Sequence, residues 1–354
     1  MELESLTLAP LSPQAQRGAK DRTEDLLMPF RALGRAHDLV EQLAKIQGKA
    51  FPSAERIGLI LACGDHGVVA QGVTRYPQEI TAFMVKVFLR GGAAANALAR
   101  GVGAVVAVVN AGVAQPIEGE PTSAEVVLFV NEPVRPGTGD FTREPAMTDE
   151  GAKRAIELGR RSAHRFIERY HLDLLCLGEM GIGNTTTSSA LTSALLDLPP
   201  EKVVGTGADL PPERIPDKIS VVEKALALHR DRIRDPLGLL ASLGGLEIAT
   251  LVGAVIAGGE RGVALVADGL ISTTAVAIAL RLEPRLREYI LFSHISTEPG
   301  HRYLLEALSA RPLLDLGMRL GEGTGALMAS ALIRLFCRLH REMESFSGLG
   351  ISRG

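Results

Sequence analysis

The chain has 354 residues, 46% of them hydrophobic and 22% charged, with 38 glycines and no tryptophan. That is a globular composition with small, close-packing side chains, long enough for a large core or two domains. The formal net charge of −3 offers no basic surface to nucleic acid, and Gly, Asp, Arg or Glu interrupts every apolar run before it reaches the length of a membrane span.

Cys63, Cys176 and Cys337 lie far apart. Their spacing fits neither a disulfide framework nor a zinc site, and points to a reducing cytoplasm. Residues 1–30 lack the basic segment and apolar stretch of a signal peptide.

Residues 1–29 are polar and proline-containing, and read as a loosely packed arm with a short helix. From Arg31 to Gln47, the residues Leu33, Ala36, Val40, Leu43 and Ile46 share one face and Gly48 follows, which predicts an amphipathic helix. Six short apolar runs come next: Ile57–Ala62, Ala104–Val109, Val126–Val130, Leu172–Leu177, Val263–Ala267 and Ile290–Phe292. Most carry no polar alternation, the pattern of strands buried on both faces. Helical segments separate most of them, among them Glu79–Arg90, Gly151–Tyr170, Thr185–Leu196, Ile215–Arg232 and Ser272–Leu282. This alternation predicts an α/β fold, a mostly parallel sheet flanked by helices. The last long helix, about Thr324–Glu342, has no strand partner nearby in sequence, and neither has Arg31–Gln47. The two chain ends are therefore expected to form a separate helical layer.

Ligands of open parallel sheets bind beyond the carboxyl ends of the strands. After the first run, Asp65 and His66 are adjacent, but no third metal ligand stands at a useful spacing, so loop hydrogen bonding is expected. Tyr76, Pro77 and Gln78 offer an aromatic face, a rigid turn and an amide. Met84 adds a polarisable side chain suited to a flat aromatic ligand; the alternative is a packed loop. The fourth run leads into LLCLGEMGIGNTTTSSAL, residues 174–191. Its glycines permit a tight turn and close approach to a ligand. Asn184 and the threonines 185–187 stand where helix N–H groups are unpaired, which favours an anion, phosphate above all. Glu179 would repel that phosphate unless it faces another part of the ligand. An ordinary strand-to-helix turn with a threonine cap is the alternative.

Lys218, in a first helical turn, opposes the helix dipole unless an anion binds there or solvent surrounds it. Asp268 ends the fifth run, where acidic residues of nucleotide sites hold ribose hydroxyls, and Ser296 follows the sixth. Glu322 lies between Gly321 and Gly323 just before an apolar helix. It is either a helix-start carboxylate favoured by the dipole or one held in a narrow loop against a ligand. Facing one pocket, Glu179 and Glu322 would suit acid/base chemistry.

GDHGV with YPQEIT, GGAAANALAR, GTGDFTREPAMT, GEMGIGNTTTSSAL, DKISVVEKAL, SHISTEPGH and DLGMRLGEGTGA occur in this order from about Ala32 to Ile333. Together they closely resemble the nicotinate-nucleotide:dimethylbenzimidazole phosphoribosyltransferase family of cobalamin lower-ligand synthesis. The usual Pro-x-Gly-Ser-Leu-Gly opening of that pattern reads Pro29-Phe30-Arg31-Ala32-Leu33-Gly34 here. The resemblance implies a homodimer with a large α/β domain, residues 51–323. A small helical domain would come from both chain ends, residues 1–50 and 324–354. It implies transfer of phosphoribose from nicotinate mononucleotide to 5,6-dimethylbenzimidazole, with no metal or redox cofactor. It implies Glu322 as general base with Glu179 close by. By the same resemblance Gly181, Ile182, Gly183, Asn184, Thr185, Lys218, Asp268, Ser296 and Arg319 hold the nucleotide. Tyr76, Gln78, Met84, Met180 and Leu320 line the benzimidazole slot. Two other readings stand beside it. A dinucleotide-binding oxidoreductase lacks the Gly-x-Gly-x-x-Gly that should follow the first strand. A catalytically silent binding member would not need both glutamates.

Overall fold

A computed structural model describes residues 6–352. The first helix, α1 (Pro13–Asp25), is capped by Ser12, whose hydroxyl accepts the Ala15 N–H at 3.1 Å. The second, α2 (Arg35–Gln47), ends at Gly48 in the left-handed conformation, φ +67°. Then come β1 (Ile57–Gly64), a 3-10 turn at Gly67–Gln71, α3 (Ile80–Leu89), α4 (Ala94–Val102), β2 (Val105–Gly112) and β3 (Val126–Asn131). The middle of the chain supplies α5 (Asp149–Tyr170), β4 (Leu174–Met180), α6 (Asn184–Leu196), the single turn α7 (Pro200–Val203), α8 (Ile215–Leu228), α9 (Pro236–Leu243) and α10 (Leu246–Arg261). It closes with β5 (Ala264–Ala267), α11 (Leu270–Leu282), β6 (Ile290–Phe292), β7 (His294–Ser296), α12 (Pro299–Ala307), β8 (Leu314–Met318) and α13 (Thr324–Glu342).

The expected strands form one parallel sheet in the order β3-β2-β1-β4-β5-β6. Strand order reverses between β1 and β4, which pair in register as Ala62–Glu179 and Cys63–Met180. That reversal opens a crevice at the carboxyl ends of the two strands. Strands β7 and β8 form a separate two-stranded parallel sheet that the apolar runs did not announce. The expected Ile215–Arg232 helix ends earlier, at Leu228. His229 leaves the helix there and its Nε2 meets the Phe141 carbonyl at 2.9 Å.

Against the sheet, α5 and α10 pack on each other and on β1 and β2. Their backbones meet so closely that a Cβ on Gly159 or Gly253 would stand 1.8 Å from a carbonyl oxygen of the other helix, which only glycine permits. The N-terminal arm, as far as it is described, is packed rather than loose. Ala15, Ala19 and Thr23 of α1 are buried, α1 packs on α2, and α2 packs on α13. Residues 1–5 of that arm lie outside the described residues. Arg22 donates to the His340 carbonyl at 3.2 Å, and Leu26 pairs with Ser345, so the two chain ends are joined. Helix α13 also packs on β4 and β5.

The stretch nearest to a membrane-spanning length and composition is residues 80–102. It is two helices, α3 and α4, parted by a turn at Gly91 with φ +79°. All three cysteines are buried and unpaired.

Candidate active site

A cavity of about 530 Å³ opens at the reversal point. Its walls come from the loop after β1 (Thr74, Tyr76), from α3 (Ile80, Met84) and from the turn between β4 and α6 (Glu179 to Thr185). Gly207 to Asp209, Gly269 to Ile271, His294, Ser296 and Glu298, and the loop from Arg319 to Glu322, complete it. Most of these segments follow strands, so the sheet brings together loops far apart in sequence. A larger depression of about 810 Å³ lies over α5 and α10. It is open and charged, and its Arg160 and Arg261 are paired with Glu260 and Glu168.

Glu179 and Glu322 both face the cavity, and each is 6% exposed. A Cβ on Gly321 would stand 2.5 Å from Glu179 Oε1, so the GEGTG loop lies against that carboxyl. Glu179 Oε2 accepts a short hydrogen bond from Asn184 Nδ2. Burial first, then the negative charges of Glu247 and Asp268, lift the Glu179 pKa to about 8. Glu322 adopts φ +60° between two glycines that are also left-handed. Its Oε2 accepts the Ala95 N–H at 3.1 Å, at the start of α4. Burial raises its pKa, and the Ala95 bond works against the rise. At neutral pH Glu179 is therefore mostly protonated, and burial makes Glu322 more basic than a solvated carboxylate.

The residues expected to bind the anion take a particular form. Gly181, Ile182, Gly183, Asn184 and Thr185 all line the cavity at the start of α6. Lys218 is not solvated. It is 1% exposed and its Nζ donates to Thr185 Oγ1 at 3.1 Å and to the Gly205 carbonyl at 2.9 Å. It stands behind the wall, and burial lowers its pKa to about 8, with Glu298 as the opposing charge. Arg319 lines the cavity, donating to the Gly207 carbonyl at 3.0 Å and to Asp209 at 2.9 Å. Ser296 lines it too, its hydroxyl accepting the Glu298 N–H at 3.3 Å.

Asp268 sits beneath the cavity and not in its lining. Its two oxygens accept N–H groups from Gly323, at 3.2 Å, and Ala326, at 3.0 Å. It caps α13 and so holds the loop that carries Glu322. Burial lifts its pKa to about 7. Tyr76, Met84, Met180 and Leu320 line the cavity as a mixed aromatic and apolar surface. Gln78 does not reach it, and its Nε2 donates to the His66 carbonyl at 3.3 Å. Asp65 and His66 enter loop hydrogen bonds, and among the described residues no three His, Cys, Asp or Glu side chains are grouped to hold a metal ion.

Sequence reasoning did not single out His294 and Glu298 of SHISTEPGH, which line the cavity, or Ala95 of GGAAANALAR, which bonds Glu322 from behind the lining. His294 is held neutral, its pKa lowered to about 4 by burial. Glu298 accepts the Gly207 N–H at 2.9 Å and so shapes the wall that hides Lys218.

A phosphoribosyltransferase family model matches residues 8–351. The chain belongs to that family. Among its relatives, the nicotinate-nucleotide–dimethylbenzimidazole phosphoribosyltransferase of Pseudomonas aeruginosa is 44% identical over 346 residues, 98% of this chain and 97% of the relative. The enzyme of that name from Thermus thermophilus is 43% identical, covering 97% of this chain and 100% of the relative. A crystal structure of the Thermus thermophilus enzyme superposes with a TM-score of 0.89, at 43% identity over 97% of this chain and 100% of that one. The cavity brings together a glycine turn at a helix start, an arginine, an aromatic-apolar surface and two carboxyl groups, with a buried lysine behind its wall.

Proposed function

We propose that this phosphoribosyltransferase moves the phosphoribosyl group of nicotinate mononucleotide to 5,6-dimethylbenzimidazole, giving α-ribazole 5′-phosphate and nicotinate. The observation that carries this reading is the pairing of Glu179 and Glu322 in one cavity with the glycine turn of α6. The similarity to enzymes of that name over nearly the whole chain supports it. A dinucleotide-binding oxidoreductase and a silent binding protein are not favoured.

The donor already carries a pyridinium, a good leaving group. What the acceptor needs is loss of its ring N–H proton as its other nitrogen attacks the anomeric carbon. Glu322 takes that proton. Protonated Glu179 adds no second negative charge beside an anionic substrate, and it fixes Asn184 at the start of α6. The start of α6, with Arg319 and Ser296, takes the phosphate, and Lys218 adds its charge from behind Thr185 and Gly207. Tyr76, Met84, Met180 and Leu320 hold the flat base. Asp268 acts through the loop it caps. Holding both reactants in one cavity contributes much of the rate.

Residues 51–323 serve as the large catalytic domain, with 1–50 and 324–354 as a small helical one. The packing of α1 on α2, and of α2 on α13, supports that division. We further propose a homodimer in the cytoplasm. Tyr76 and Leu320, 42% and 60% exposed, leave apolar surface at the cavity, and three unpaired cysteines suit a reducing compartment. The test is nicotinate release from nicotinate mononucleotide. It should require dimethylbenzimidazole, and release at the same rate without the base would overturn the reading.

A further inference from the structure

Directly beneath the glycine turn lies a fully buried chain of three side chains drawn from three separate elements. His66 Nε2 stands 2.8 Å from Glu247 Oε1, and His66 Nδ1 stands 2.8 Å from Thr187 Oγ1. None of the three side chains is exposed. Glu247 lies in the first turn of α10, where the helix dipole favours a carboxylate. Thr187 lies in the first turn of α6. His66 follows β1.

The contacts fix the ring's chemistry. A carboxylate only accepts, so in the neutral ring Nε2 carries the proton and Nδ1 accepts from the Thr187 hydroxyl. The ring is also wedged between glycines. A Cβ on Gly181 would stand 3.1 Å from His66 Nε2, one on Gly183 3.2 Å from His66 Cβ, and one on Gly245 2.5 Å from Cε1. Rotating the imidazole would therefore drive it into the turn on one side or the start of α10 on the other. Asn184, which bonds Glu179, is the first residue of α6, three positions before Thr187.

We propose that His66, locked between Glu247 and Thr187, is a positioning residue that holds the 181–183 turn in the shape that receives the nucleotide's phosphate. Glu247 sets the tautomer and Thr187 completes the lock. The contacts of the His66 ring fall on the glycine turn and on the starts of α6 and α10, so its effect falls on the nucleotide. This rests on the function proposed above.

Calorimetry with nicotinate mononucleotide and dimethylbenzimidazole, each titrated alone, tests it. Thr187→Val keeps the shape of the side chain and removes the donor to Nδ1. The nucleotide dissociation constant should rise about tenfold, as one lost buried hydrogen bond would give, while that of the base stays within about twofold. Thr187→Ser, which restores the hydroxyl, should recover parental nucleotide affinity. Unchanged nucleotide affinity in Thr187→Val, or an equal loss for both ligands, overturns the proposal. So does a Thr187→Ser protein that stays as weak as Thr187→Val. A parent protein that binds no nucleotide overturns the function instead. Nitrogen-15 NMR of the parent imidazoles, with His66→Asn to assign the signal, reads the lock directly and needs no stable Thr187 variant. A fixed Nε2–H tautomer is expected at His66, and an Nδ1–H or averaging ring contradicts the chain.

Discussion

Replacing Glu322 by glutamine isolates its role as base. The variant keeps the volume of the side chain, and its amide oxygen can still accept the Ala95 N–H that Glu322 Oε2 accepts at 3.1 Å. The GEGTG loop and the start of α4 should therefore stay in place, with a melting temperature close to the parent's. What changes is the free oxygen, which becomes an N–H donor and cannot take a proton. Glu179 is poorly placed to substitute, because it is bonded to Asn184 and its pKa of about 8 leaves it mostly protonated at neutral pH. A positioned general base is worth about 10²–10⁴ in rate, or about 3–5 kcal/mol of barrier. Nicotinate release at saturating substrates should fall by that factor, with binding of both substrates changed little. The parent's kcat should also fall toward acid pH through a group lying above the ordinary carboxylate value of 4.5, and that limb should vanish in the variant. Turnover near the parent's, or an unchanged acid limb, would refute Glu322 as the base.

Lys218→Ala removes a buried cation bonded to Thr185 and Gly205. A charged hydrogen bond of about 1.5–3 kcal/mol corresponds to roughly 10- to 100-fold. Nucleotide affinity measured by calorimetry should drop by that much while base affinity holds; equal nucleotide affinity contradicts the phosphate anchor. In the empty protein Glu179 should cost stability between pH 6.5 and 8. There the folded state retains a proton on Glu179, pKa about 8, that the unfolded chain has already lost. Asp268, pKa about 7, adds to the fall at the acid end of the window. The unfolded chain's histidines near 6.5 and Lys218 near 8 oppose it, so the Glu179 share is read as the difference between the parent and Glu179→Gln. One retained proton costs about 1.4 kcal/mol per pH unit, so roughly 2 kcal/mol across the window. Urea titrations should show the parent losing about that much more than Glu179→Gln across the window; the same pH dependence in the two proteins would contradict it. Multi-angle light scattering at micromolar concentration should report twice the chain mass, and a monomer would refute the dimer.

The strands of the main sheet were legible because all but the edge strand β3 are buried on both faces, so hydrophobicity alone marks them out. The same rule hid α10. It is apolar on nearly every side, as a helix inside a protein must be, and so carries no 3.6-residue polar stripe. Strand β8 was missed for a different reason: Leu314-Asp315-Leu316-Gly317-Met318 is short and largely exposed, so its alternation marks no buried face. Within the site, the glycine turns were readable because a tight turn before a helix needs glycine and capping side chains in a fixed local order. Long-range partners were not. No local pattern links Ala95 to Glu322, 227 positions away, or Glu247 to His66, 181 away. Asp268 shows the limit most plainly. A carboxylate at a strand end can face a ribose or a neighbouring helix, and only the position of α13 decides between them.

The central claim is a transfer between two small molecules in one cavity, and product analysis tests it most directly. The protein is incubated with nicotinate mononucleotide and dimethylbenzimidazole, and the mixture is followed by proton NMR. The account predicts one α-configured ribazole 5′-phosphate for each nicotinate released. Nicotinate accompanied by free ribose 5-phosphate, with the base unconsumed, would make the protein a hydrolase and contradict it.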